Sequence, residues 1–266
     1  MIFYNIKIQI GYFVIAIETE NIHFFQRLED RFSRFLSCDS NSNGTIRLVL
    51  TKDWNKDPWV EPTLTKGFDY WELKASGIIG KIRYKEFIAE YQISPARSMQ
   101  EVDHIIRIAS AFWVFESGGI LVHGAALVRN GNGYLFTGHS GAGKSTVCKV
   151  TKDGLVLNDD LVILKESEFG WEVWATPFTN PKQNIPNPGK AKLKAIINLE
   201  QAKRHRVILE NEAISLADLI THIPVVSSCP ENTQNLMDQC HNILNKVKAY
   251  RLYFLPDDQF WPLIPD

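Results

Sequence analysis

The sequence predicts an α/β fold: a mixed β-sheet domain over residues 97–266, preceded by a small α+β or β-rich domain over residues 1–96. Three observations predict it. A glycine-rich loop, Gly138-His139-Ser140-Gly141-Ala142-Gly143-Lys144-Ser145, joins the apolar run 134–137 to a short helical stretch. An apolar run over residues 155–164 carries two adjacent carboxylates, Asp159 and Asp160. A long helical stripe after Ser98 parts these features from an aromatic-rich N-terminal portion.

Taken in order, Ile6, Ile8 and Ile10 alternate with Lys7 and Gln9, the two-residue period of a strand. Phe24, Phe25, Leu28, Phe32 and Phe35 recur at helical spacing between residues 22 and 35. Asn41-Ser42-Asn43-Gly44 reads as a turn or loop, and residues 46–50, 69–73 and 80–84 read as strands. A domain boundary falls near Ser94-Pro95. Ser98 then caps a helix to about residue 117, with Glu101 as its capping-box partner. Val102, Ile105, Ile106, Ala109, Phe112 and Trp113 form the apolar stripe of that helix, and Gly118-Gly119 ends it. Residues 120–128 form one strand, 129–133 a hairpin turn, and 134–137 the next strand. A helix follows the glycine loop to about residue 152, and residues 155–164 and 171–176 are further strands.

With 45% hydrophobic and 22% charged residues the chain is not of disordered composition. A formal net charge of −1 gives no reason to expect a nucleic-acid or anionic-membrane partner. No stretch reaches the roughly 20 apolar residues of a membrane span, and residues 1–20 lack the basic flank and cleavage site of an export signal. Cys38, Cys148, Cys229 and Cys240 have neither CxxC spacing nor histidine partners for zinc. Scattered thiols of this kind fit a reducing cytoplasm.

The spacing Gly138-x-x-x-x-Gly143-Lys144-Ser145, between a strand and a helix, is that of a Walker A phosphate loop. Glycines let the backbone curl so that successive N–H groups of residues 138–146, from Gly138 to Thr146, converge on phosphate oxygens. Lys144 then reaches the β- and γ-phosphates, and the Ser145 hydroxyl is placed for Mg²⁺. ATP and Mg²⁺ are the expected cofactors. Two carboxylates inside an apolar strand are costly unless something pairs with them, and a Mg²⁺-nucleotide is such a partner. Since successive strand residues face opposite ways, one aspartate approaches the metal and the other accepts the proton of an attacking hydroxyl. Asp159 follows Ser145 by only 14 residues, so the acidic strand returns directly after the loop helix, which suits a kinase acting on a hydroxyl. His123, on an apolar strand beside Gly124, reads by itself as a satisfied structural residue.

The runs His123-Gly124-Ala125-Ala126-Leu127, residues 138–146 and Asn158-Asp159-Asp160 together resemble the catalytic domain of the HPr serine kinase/phosphorylase family. The resemblance covers residues 98–200 best. It implies a P-loop fold related to phosphoenolpyruvate carboxykinase, with a mixed sheet flanked by helices. It makes Asp159 the general base, His123 its orienting neighbour, and Asp160 and Ser145 the metal-side ligands. It also implies an assembling protein. A glycine- and asparagine-containing signature of the bifunctional members is missing downstream, and residues 193–200 look more like divergent HPr-kinase-like proteins that phosphorylate peptide hydroxyls. The expected acceptor is therefore a serine of a peptide or small protein, or a hydroxylated metabolite. A nucleotide-dependent regulator without transfer activity is the competing class, and a simple NTP hydrolase a third. Lys190, Lys192, Lys194, Lys203, Arg204 and Arg206 form a basic stretch that is either a solvated face or a cationic arm for the phosphoryl group or an acidic substrate.

Overall fold

The computed structural model describes residues 3–51, 62–95, 99–179 and 186–265. The chain forms two compact units, Met1–Ser117 and Gly118–Asp266. Among the described residues no helix is long and apolar enough to cross a membrane.

The first unit is a seven-stranded mixed sheet with two helices. Its strands are β1 (Tyr4–Ile10), β2 (Phe13–Thr19), β3 (Gly44–Leu50), β4 (Thr63–Lys66), β5 (Trp71–Ala75), β6 (Ile78–Arg83) and β7 (Ile88–Ile93), in the order β1-β2-β3-β7-β6-β5-β4. The helices are α1 (Ile22–Phe32) and α2 (Met99–Glu116). Asn21 caps α1, its side chain accepting the Phe24 N–H at 2.9 Å, and the stripe read from the sequence is buried at Phe24, Leu28, Phe32 and Phe35. The expected cap of α2, Ser98, lies outside the described residues.

The unit boundary falls after α2, not near Ser94-Pro95. The reason is the stripe on α2. Phe112 stacks on Trp71 of β5 at 5.1 Å between ring centroids, and Trp113 stacks on Phe13 of β2 at 6.4 Å. Two large aromatic side chains of this helix thus bury their area on the first sheet. The helix belongs to the sheet that covers it.

The second unit contains β8 (Gly119–His123), β9 (Ala125–Arg129), β10 (Asn132–Thr137), α3 (Lys144–Val150), β11 (Leu155–Asn158), β12 (Leu161–Ser167), β13 (Gly170–Ala175), β14 (Lys190–Gln201), β15 (Arg206–Leu209), α4 (Glu212–Thr221), α5 (Thr233–Lys246) and β16 (Lys248–Phe254). The sheet runs β11-β9-β10-β14-β13-β12-β8, with β16 paired to β14 and β15 to β16. Asn130 and Gly131, at φ 51° and 77°, make the two-residue turn from β9 to β10. Behind α3, Phe260 and Trp261 pack on Phe136 and Phe254, and Trp261 Nε1 donates to Thr151 Oγ1 at 3.0 Å.

The two strands expected over residues 120–128 and 155–164 are each broken once. Antiparallel pairing continues on both sides of the break, from Leu161↔His123 to Asn158↔Ala126, so the double ladder turns a corner at Gly124 and at Asp159-Asp160. A side chain at Gly124 would meet Leu135 Cδ1 at 2.8 Å and the Phe136 carbonyl at 2.9 Å. The corner closes there because glycine allows it.

Strand directions then decide where chemistry collects. β11 and β10 both run antiparallel to β9, and β14 and β16 run parallel to β10. The carboxyl ends of β11, β10, β14 and β16 therefore lie along one edge of the sheet, the usual place for ligands in an α/β fold.

Candidate active site

Asp159-Asp160 follows β11 and the glycine loop follows β10, so both stand on that edge. Gly138, Gly141 and Gly143 have φ of 141°, 83° and 116°, values that turn the backbone in on itself and that side chains resist. At Gly143 there is also no room: a Cβ would sit 2.4 Å from Phe254 Cζ. The helix that follows has only seven residues, so its dipole adds little to the anion field of the loop amides.

Lys144 is the first residue of α3 and only 8% exposed. Its ammonium donates to the Gly138 carbonyl at 2.7 Å and to the His139 carbonyl at 3.3 Å, so the loop closes around it. Burial lowers its pKa, and the Asp160 charge pulls it back up. Phosphate oxygens would exchange for these carbonyls, setting an anionic acceptor against the ammonium in place of a neutral one.

The acidic corner is organised by Asn158. Its Oδ1 accepts the N–H of Asp160 at 2.7 Å, while its Nδ2 donates to the carbonyls of Thr176 at 2.9 Å and Phe178 at 2.7 Å. An asparagine held at both ends of its amide fixes the turn, and the two aspartates leave it in different directions. Asp160 stands 3.3 Å from His123 Nδ1, and its carbonyl accepts the Gly124 N–H at 2.9 Å. Asp159 is 1% exposed and its charge bears on Cys148 of α3. Burial first, and that charge second, push the Cys148 thiol up. Cys148 stands one turn of α3 beyond Lys144 and Ser145. The histidine expected beside Asp159 stands instead against Asp160, because the corner at Gly124 brings β8 across to the second carboxylate.

The remaining sequence candidates sort by position. His139 is exposed at the loop tip, with Nδ1 2.7 Å from the Ser140 carbonyl. Ser140, Ala142 and Thr146 complete the loop and the first turn of α3. The basic stretch is divided. Lys190 pairs with Glu172 at 3.0 Å, at the far end of β14 from the loop, and Lys192 is in register with Asn132 and Glu172 there. Lys203, Arg204 and Arg206 stand past the carboxyl end of β14, on the loop edge.

Several residues of the site had no signal in the sequence. His222, just after α4, accepts the Gly138 N–H on Nε2 at 3.0 Å, and Nδ1 donates to the Asp218 carbonyl at 2.6 Å. Its own carbonyl accepts the His123 N–H at 2.6 Å. One residue, 84 positions from Gly138, thus touches both the glycine loop and the strand that carries His123. Gln201 Nε2 donates to the Gly141 carbonyl at 2.7 Å. Arg251 joins Glu210 at 2.7 Å and Asp218 at 2.9 Å, and Asn198 donates to that same Asp218 carboxylate.

The donors available to a divalent ion are the carboxylates of Asp159 and Asp160 and the Ser145 hydroxyl. All are oxygens, which suits a hard cation such as Mg²⁺, and Cys148 stays a protonated thiol. Among the described residues no group of three or more His, Cys, Asp or Glu is placed to hold a metal ion. An ion here would therefore share the phosphate oxygens of a nucleotide, as Mg²⁺ commonly does.

No protein-family model and no curated protein sequence matches the chain. Over 54% of this chain and 89% of that one, a structural match is found with the HPr(Ser) kinase/phosphatase from Coxiella burnetii, at a TM-score of 0.29 and 12% identity. A likeness of that size adds nothing to what the geometry of the site says by itself.

Proposed function

We propose that the second unit is an ATP- and Mg²⁺-dependent kinase that transfers the γ-phosphoryl group to a hydroxyl, with a serine of a peptide or small protein as acceptor. One observation carries the reading: a glycine loop closed around Lys144 and an aspartate–histidine pair stand on the same edge of one sheet. The loop amides bind the phosphates, and Lys144 leaves the Gly138 and His139 carbonyls to meet the β- and γ-oxygens. Asp160 accepts the proton of the attacking hydroxyl, and His123 steadies it. This reverses the roles that the family resemblance implies, since the histidine supports Asp160 and not Asp159. Ser145 and Asp159 would hold Mg²⁺, which when bound supplies positive charge to the transferring phosphate.

The test is phosphoryl transfer from γ-labelled ATP to a panel of serine peptides, read by mass spectrometry. Asp160→Asn is expected to lower transfer about 10²–10⁴-fold, the range of a lost general base, with nucleotide binding retained. Asp159→Asn is expected to weaken the Mg²⁺ dependence of nucleotide binding. Wild-type transfer by Asp160→Asn would overturn the base assignment. Nucleotide-dependent binding of a partner with no labelled acceptor would favour the regulator.

A further inference from the structure

The nucleotide has two ends, and the kinase reading accounts for one. The strands along the loop edge run β11-β9-β10-β14-β16-β15. The aspartate–histidine pair lies on the β11 side of the glycine loop, so the reacting phosphate points that way. On the kinase reading the other end of the same molecule lies away from that pair, on the β14 and β16 side, where the turn between β14 and β15 stands.

That turn is built to receive something. A cavity of about 480 Å³ is lined by Ala202, Lys203, Arg204, His205, Arg206 and Tyr253, three of them cations and none a carboxylate. Both ring nitrogens of His205 are engaged: Nε2 donates to Asp257 Oδ1 at 2.9 Å, and Nδ1 accepts the Leu255 N–H at 3.3 Å. The turn is thus held from within. The exposed Arg206 sits over Tyr253, its guanidinium carbon 4.5 Å from the ring centroid. The bond from Gln201 to the Gly141 carbonyl ties the start of the turn to the glycine loop itself.

We propose that this turn is the nucleoside subsite. The purine stacks on the Arg206–Tyr253 platform, and Lys203 and Arg204 draw the polyanion in. A planar cation over an aromatic ring offers a base a π-face on which to stack, and three cations in the lining complement the charge of the phosphates. The proposal rests on the kinase reading and deepens it.

The experiment compares Mg²⁺-ATP with inorganic tripolyphosphate, which carries the phosphates without a nucleoside, by titration calorimetry on the full chain. Arg206→Ala and Tyr253→Ala are expected to weaken ATP by about tenfold or more and to leave tripolyphosphate within about twofold. Tyr253→Phe, which keeps the ring and guards against a misfolded hairpin, should bind ATP as the wild type does. Equal losses for both ligands would overturn the proposal, making the turn a general anion site. Unchanged ATP binding with a raised KM for an acidic peptide acceptor would overturn it too. Lys144→Ala separates the two levels. If it abolishes binding of both ligands while the hairpin variants change nothing, the subsite fails and the kinase reading stands. If Lys144→Ala leaves both ligands bound, the kinase reading itself fails.

Discussion

The two units each have a mixed sheet and a cavity, and they treat charge in opposite ways. In the first unit, Glu18, Arg47, Glu90 and Arg83 alternate in sign across β2, β3, β7 and β6, at 3.1 Å for Arg47–Glu18, 3.2 Å for Arg47–Glu90 and 3.1 Å for Arg83–Glu90. The neighbouring cavity of about 390 Å³ is lined by both signs, including Arg47, Glu72, Lys81 and Glu90. In the second unit, cations gather at the β14–β15 turn and carboxylates at the β11–β12 corner, with the glycine loop between them. Exposed pairs like those of the first unit contribute about 0–1 kcal/mol each, and their fields cancel at short range. Charges kept apart on one edge still have a field to offer a ligand. Both sheets have parallel strands; in the second unit the glycine loop, the acidic corner and the basic turn all follow carboxyl ends on one edge, so that edge carries the separated charges.

This contrast is strongest if stability and ligand binding can be changed separately. The largest effect on stability is expected at Asp103 of α2, 4% exposed, which Arg31 meets at 2.6 Å and Arg107 at 2.7 Å. Asp103→Ala removes the buried carboxylate that two partly buried guanidiniums share and should lower the unfolding free energy by about 2–3 kcal/mol, with nucleotide binding intact. Burial raises the Asp103 pKa, and the two arginines only partly offset this. Because the folded pKa lies above the unfolded one, its favourable contribution is complete below the ordinary carboxylate range and is lost as pH rises through the folded value. Asp103→Asn should therefore flatten that part of the stability–pH curve in urea titrations. Loss of nucleotide affinity in Asp103→Ala would break the contrast.

A smaller effect of the opposite kind is expected at His222. His222→Phe fills the space but cannot accept the Gly138 N–H, and one unpaired amide costs about 1–2 kcal/mol of loop order. Nucleotide affinity should fall roughly tenfold with little change in melting temperature. His222→Gln, whose carboxamide oxygen can take the place of Nε2, should restore it. An equal loss in both variants would show that His222 only fills space.

The smallest effect belongs to Glu166, which joins Lys246 and Asn242 on the surface. The bond to Lys246 is the main cause that lowers its pKa. A lowered carboxyl pKa stabilises the fold above the unfolded value and ceases to do so as pH falls through the folded one. With Lys246 exposed and Glu166 half-buried at the surface, Glu166→Gln should cost no more than about 0.5 kcal/mol at neutral pH, and nothing in acid. Melting curves at neutral and acid pH would check this.

The sequence by itself determined the local features: the glycine loop between strand and helix, the helical stripes of α1 and α2, the Asn-Gly turn and the adjacent carboxylates. Each depends on residues close in the chain, where periodicity, turn chemistry and the conformational freedom of glycine act directly. Only the tertiary structure decided which aspartate meets His123, because that depends on a corner closed by Gly124 and Asn158 from two separate strands. It also decided that α2 belongs to the first unit, through stacking on Trp71 and Phe13, and that one basic run is divided between two ends of β14. His222 and Gln201 reach the glycine loop from 84 and 60 positions away. Contacts that distant follow from strand order and direction, which no local pattern of residues encodes.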